Sequence, residues 1–156
     1  HLHRDMLTLR RAILGSLLLL VAPPISARGQ SDSTVIIGGV EGPEGTVFGS
    51  VSDAALLPDG GLVVVDRMAS EVRAFDIDGS YLSRLGRPGQ GPGEIKGPVA
   101  VEVDRRRRIY VLDTGNGRIA TFANRERGFE HLSDIRLSGA SSGLCVLDDR
   151  VFSLAY

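Results

Sequence analysis

The sequence lies over itself at an offset of 47 residues, and this repeat constrains the fold more than any other feature. The segment L-L-P-D-G-G-L-V-V-V-D (Leu56 to Asp66) aligns without a gap on V-D-R-R-R-R-I-Y-V-L-D (Val103 to Asp113). The same offset carries Val72 onto Ile119 and Phe75 onto Phe122. Backwards, the glycine-bearing segment Gly42 to Phe48 lies one period ahead of Gly89 to Ile95, and both precede an apolar stretch. A third copy begins near Gly143, where two apolar runs, Gly143 to Leu147 and Val151 to Ala155, repeat the hairpin with a shorter turn. A fixed period of this length belongs to stacked units, each burying a face against its neighbours.

Within one period four short runs rich in apolar or β-branched residues read as strands: Ser52 to Leu57, Leu62 to Val65, Glu71 to Phe75 and Ser80 to Leu85. Pro58-Asp59-Gly60-Gly61 and Asp76-Ile77-Asp78-Gly79 supply the hairpin turns between them. Four strands per copy is the signature of a β-propeller blade. A parallel β-helix needs shorter rungs, and a sandwich needs no period. The fold class expected is therefore all-β, a β-propeller of four-stranded blades with about two and a third blades present. A hydrophobic content of 42% with 24% charged residues suits a chain with a core, and 20 glycines without a three-residue period point to many tight turns rather than to collagen.

The second copy carries a family resemblance. Its residues Pro98, Val111, Asp113, Asn116, Arg118, Ile119 and Phe122 stand in a proline-led inner strand, a Val-x-Asp strand and an Asn-x-Arg-Ile strand ending in Phe. This pattern resembles the NHL repeat. The connector G-R-P-G-Q-G-P-G-E-I (Gly86 to Ile95) is similar to the one common in exported bacterial six-bladed propellers. The resemblance implies a ring of six four-stranded blades, of which this chain would be the amino-terminal part; open blade faces and strand edges would then favour self-association. It implies no single function, because similar propellers serve as lyases, lactonases, RNA readers and scaffolds. The first copy departs from the pattern, with Ala69 and Glu71 where Asn116 and Arg118 stand.

Ahead of the repeat, Arg10 and Arg11 precede an apolar run from Ala12 to Ala22 and then the small-residue stretch Pro23 to Gly29. The run is shorter than the roughly 20 residues that cross a bilayer, so residues 1–29 read as a secretory signal, with Met6 a plausible true start. Leu9 stands where a twin-arginine signal usually has Ser or Thr, which favours the general secretory route. No cysteine near residue 29 offers a lipid anchor, so the expected location is periplasmic or extracellular. Residues 30–47 form a linker in which Val35–Ile37 is expected to be a strand that closes the ring; 48–95 make the first blade and connector, 96–141 the second blade and 142–156 the start of a third. Without residues 1–29 the net charge is about −4, which disfavours nucleic acid as a partner. Cys145 is the only cysteine, so no internal disulfide forms, and it reads as a small core residue.

Most residues that invite a chemical reading also fit a scaffold role. Asp66 and Asp113 recur at the blade period, which favours turn acceptors over catalytic carboxylates, since a catalytic group is needed once per site. Arg105 to Arg108 aligns with the turn Pro58 to Gly61 and reads as a solvated turn rather than a nucleic-acid patch. The connector Gly86 to Gly93 lacks the Gly-Lys-Ser/Thr ending of a phosphate loop. Glu102 interrupts V-A-V-E-V on the expected innermost strand, where its counterpart is Ala55. Glu102 and Asp53 are therefore the ligand candidates for the central channel, and a divalent cation such as calcium is the cofactor to expect if the protein is a lactonase-like hydrolase or lyase. The leading expectation is a binding scaffold for a protein, peptide or glycan. His131 is the one histidine after residue 29, and no Ser-His-Asp or Cys-His set assembles.

Overall fold

The computed structural model describes residues 34–125, 128–147 and 150–155, all within one compact unit running from Thr34. The expected signal sequence and its Met6 start lie outside the described residues. Twelve strands and no helix occupy the described chain, so no helix there is long and apolar enough to cross a membrane.

The first blade is a four-stranded antiparallel sheet in the order β1 (Val51–Leu56), β2 (Leu62–Asp66), β3 (Glu71–Phe75) and β4 (Tyr81–Leu85). A connector follows in which β5 (Arg87–Pro88) pairs in parallel with β6 (Glu94–Ile95). The second blade repeats the meander with β7 (Pro98–Val103), β8 (Arg108–Asp113), β9 (Arg118–Arg125) and β10 (Gly128–Arg136). A hairpin of β11 (Ser141–Leu147) and β12 (Arg150–Ala155) begins the third. These are the four-stranded blades of a β-propeller.

Alternation along each strand makes every blade apolar on both faces, as a stacked sheet must be. Val63, Val65, Val72 and Ala74 of the first blade meet Val101, Ile109, Val111, Ala120 and Phe122 of the second in one core. The opposite face of the second blade sends Ala100, Tyr110, Leu112 and Ile119 against Leu144 of the third. Each of these larger side chains contributes about 1.5–3 kcal/mol by leaving water. The inner strands β1, β7 and β11 lie side by side.

The register reveals a feature the sequence concealed. Each inner strand is bulged at its first residues, between Val51 and Asp53, between Pro98 and Ala100, and between Ser141 and Gly143. The bulged residues Ser52, Val99 and Ser142 are thereby equivalent, and the third blade follows the second at an offset of 43 rather than 47. Cys145 then falls at the place of Glu102 and Ala55. It is exposed, not a core residue, because alternation along β11 gives the packed face to Leu144. A second bulge recurs in the outer strand at Leu82 and Leu132, and it sets Tyr81 opposite Phe75 as His131 is set opposite Phe122. Both pairs meet edge to face, with ring centroids 5.9 and 5.6 Å apart.

Residues 34–39, expected to include a ring-closing strand at Val35–Ile37, have no strand partner among the described residues; Val35 and Ile37 lie over the β3–β4 turn at Gly79.

Ser70 ends the β2–β3 turn with a φ of 55°, where its counterpart Gly117 has 62°. A side chain in this left-handed region costs about 1–2 kcal/mol, partly offset by glycine's greater freedom in the unfolded chain. Ser70→Gly is expected to stabilise the protein by about 0.5–1 kcal/mol, and Gly117→Ala, whose new Cβ meets nothing within 4 Å, to destabilise it by a similar amount in urea denaturation.

Candidate functional site

Asp66 and Asp113 end the second strand of their blades and are fully buried. Asp66 accepts from the backbone N–H groups of Gly49 (2.8 Å), Ser50 (3.0 Å) and Ala69 (3.2 Å). Asp113 accepts from Gly97 N–H at 2.8 Å and Lys96 N–H at 3.3 Å, and from the Asn116 side-chain amide at 2.7 Å. Donors thus come from equivalent positions in both blades: two from the entering chain and one from the turn, where Asn116 uses its side chain and Ala69 its backbone. Burial alone would raise the Asp66 pKa, but these N–H groups and the Arg73 charge hold it below the usual 3.8.

An arginine completes each arrangement. Arg118 donates to the carbonyls of Gly91 and Glu94 at 2.6 and 2.7 Å, and its Nε lies 4.0 Å from Asp113. In the first blade Arg73 does the same work, donating to Val47 O at 2.6 Å and Gly45 O at 3.3 Å, and it lies 3.4 Å from Asp66. Val47 and Glu94 are equivalent, but Arg73 and Arg118 are not. Arg73 stands two residues further along, at the place of Ala120. A shift of two keeps a strand side chain on the same face, so the guanidinium still reaches the carboxylate. The displaced position carries an inverted ion pair: Glu71 with Arg84 (3.1 Å) in the first blade, Arg118 with Asp134 (2.8 Å) in the second.

The connector Gly86 to Ile95 is shaped from within. Glu94 accepts from Gly91 N–H and from Arg87 Nε, both at 2.7 Å, and the Gly91 bond leads in holding its carboxyl below the usual value. Gly93 passes directly beneath His131, where an added Cβ would come within 2.8 Å of the His131 Cβ. His131 itself hydrogen-bonds Asp134 at 2.9 Å.

The arginine run forms the β7–β8 turn. Asp104 is buried below it and accepts from Arg106 N–H, Arg108 N–H, Arg108 Nε and the Tyr110 hydroxyl. Burial works against ionisation of Asp104, and the Arg108 contacts outweigh it, leaving the pKa lowered. Arg107 reaches across to Asp59 in the corresponding turn of the first blade at 2.5 Å.

The inner strands hold the two ligand candidates together. Asp53 accepts from Val101 N–H at 2.9 Å, tying β1 to β7, and from Ala54 N–H at 2.9 Å; beside it the Ser52 hydroxyl donates to Val99 O at 3.1 Å. Glu102 is half-buried on β7, and burial, then the charge of Asp53, raises its pKa above the usual 4.5. No cluster of three His, Cys, Asp or Glu residues placed to hold a metal occurs among the described residues.

Connectors and β2–β3-type turns share one end of the blades, which is also the end of the buried aspartates. On this clasp face a cleft of about 410 Å³ opens where the bulged inner strands begin. It is bounded by Arg67, Val99, Thr114, Gly139, Ser141 and Ser142, residues of three successive blades. Arg67 stands in the β2–β3 turn, where no sequence motif marks it.

Residues 43–151 match a family described as a 6-bladed beta-propeller. The chain is similar to a solved structure from Bacteroides fragilis NCTC 9343, of a protein inferred to be exported, with a TM-score of 0.60 and 19% identity over 73% of this chain and 32% of that one. It is also similar to a protein from Lactobacillus plantarum, with a TM-score of 0.51 and 19% identity over 70% of this chain and 37% of the other. At this identity the likeness shows the fold alone, and the chain spans about a third of the length of each. No curated protein matches the sequence.

A carboxyl whose folded pKa is raised binds its proton more tightly in the native than in the unfolded state, so stability increases as pH falls through that window. Above the window the ionised Glu102 opposes folding. Glu102→Gln is expected to raise the thermal midpoint at pH 7, with the gain fading as pH falls through the raised pKa and gone below 4.5. Paired melts from pH 4 to 8 check this; a variant less stable than the parent at pH 7 would contradict it.

Proposed function

The chain belongs to the 6-bladed beta-propeller family, and on that footing we propose that it is part of an exported binding scaffold that holds a protein or peptide partner on the clasp face of the ring. The observation that carries this reading is the division of labour among polar groups. Asp66, Asp113, Asn116, Arg118 and Arg73 are engaged in holding connectors to blades. The cleft beside them is built from residues that differ from blade to blade, as a site grafted on a repeated frame would be. The NHL-like pattern from Pro98 to Phe122 supports a propeller of the NHL type. The signal-like residues 1–29, and the similarity to a protein inferred to be exported, support a periplasmic or extracellular location.

A second reading is favoured by one observation. Glu102 and Asp53 are neighbouring carboxylates on the inner strands, and a divalent cation would relieve their repulsion. Two carboxylates supply only part of the six to eight oxygens that calcium takes, and both Asp53 oxygens already accept backbone N–H groups. Residues present here would thus form one side of a cation site in a lactonase-like hydrolase or lyase, completed by other blades.

Probing peptide and glycan arrays with the parent and two surface variants tests the scaffold reading. Thr114→Trp at the cleft is expected to weaken bound signals at least tenfold, and Asp78→Trp at the opposite end of the first blade to leave them unchanged. Equal loss in both, or loss only in Asp78→Trp, would overturn the clasp face as the binding face.

A further inference from the structure

We propose that the clasp-face cleft is a carboxylate-binding site in which Arg67 receives the free carboxy-terminus of a peptide with a small apolar last side chain. This rests on the reading of the clasp face as the binding face and gives it a ligand chemistry.

The case begins with charge. The cleft residues include one cation, Arg67, and no carboxylate. Arg67 is exposed and forms no ion pair among the described residues, in contrast to Arg73, Arg84, Arg87, Arg107, Arg108, Arg118 and Arg125, each of which is paired. Its neighbour Asp66 is fully buried and already accepts three N–H groups, with Arg73 beside it, so it does not draw on Arg67.

The remaining polar groups narrow the ligand. Thr114 gives its hydroxyl proton to Gly97 O and Ser141 gives its own to Leu154 O, while the Ser142 hydroxyl has no protein partner among the described residues. The cleft therefore offers a guanidinium fork and one hydroxyl donor. That inventory matches a planar, two-oxygen anion, which arginine binds through paired N–H groups. Val99, Leu137 and Ala140 add apolar contacts beside the backbone of Gly117 and Gly139, and about 410 Å³ accommodates a few residues rather than a folded surface. The side chain of a terminal alanine or valine matches the small apolar contacts of Val99, Leu137 and Ala140, where a sugar ring would present hydroxyls.

The repeat explains why the site occurs once among these blades. Arg67 stands where Thr114 stands in the second blade, and the inner-strand bulge carries Ser52, Val99 and Ser142 in turn. Cation, apolar contact and hydroxyl are brought together because three unlike blades contribute one group each.

The test is a titration of the protein, followed by backbone amide NMR shifts, with acetyl-Ala-Ala as the free acid, the same dipeptide as its amide, and glucuronate. The free acid is expected to saturate with a Kd on the order of 1 mM, moving the amides of Thr114 and residues 139–142. The amide and Arg67→Gln are each expected to weaken binding about tenfold or more, with an unchanged melting midpoint for the variant. Raised salt should weaken the free acid further. Failure of the free acid to saturate, equal binding of the amide, equal binding by Arg67→Gln, or tighter binding of glucuronate would each overturn the proposal. Array signals that survive Arg67→Gln but fall in Thr114→Trp would likewise overturn the carboxylate site while leaving the clasp face as the binding face.

Discussion

A buried aspartate that gathers the N–H groups of an entering connector is the interaction on which the rest of this structure depends. A blade ends its outer strand far from where the next inner strand must begin, so the connector has to cross the sheet and deliver its backbone to a buried position. Backbone N–H groups arriving there need acceptors, because each one left unpaired costs about 1–3 kcal/mol. Asp66 and Asp113 meet that need at the end of β2 and β8, and Arg73 and Arg118 add the connector carbonyls to the same junction. The charge on each carboxylate is tolerable in the interior only because donors and a guanidinium surround it. The starts of β1 and β7 are held at this junction.

Much of this was legible in the sequence. The 47-residue offset, the strand-ending Asp and the turns at Gly60 and Gly79 place the first blade's strands to within a residue or so of where they lie. Arg73 was not legible, since an ungapped comparison sets it on Ala120 and sets Glu71 on Arg118. Only the two-residue periodicity of a strand shows that the arginine has moved along its own face. Bulges were equally hidden: Ser52, Val99 and Ser142 share no side-chain chemistry, and their equivalence is a matter of backbone pairing. Cys145, which reads as a small core residue, lies exposed because alternation along β11 gives the packed face to Leu144.

The candidate site follows the same logic. Asp53 and Glu102 were singled out from a charge on an inner strand, and the structure sets them near enough for the charge of Asp53 to act on Glu102. Part of their role is scaffold too, since Asp53 ties β1 to the Val101 N–H of β7. Arg67 had no motif to announce it. Its interest arises from what surrounds it, and a repeat protein builds such places where consecutive copies differ.

The central claim is that the carboxylate-arginine junction, rather than a particular residue position, holds the entering chain to its blade. Transplanting the second blade's arrangement into the first tests it directly, by urea denaturation of Arg73→Ala alone and of the triple variant Glu71→Arg, Arg73→Ala, Arg84→Asp. The single variant is expected to lose about 3 kcal/mol by leaving Asp66 without its cation, and the triple variant to recover to within about 1 kcal/mol of the parent. A triple variant as unstable as the single one would contradict the account.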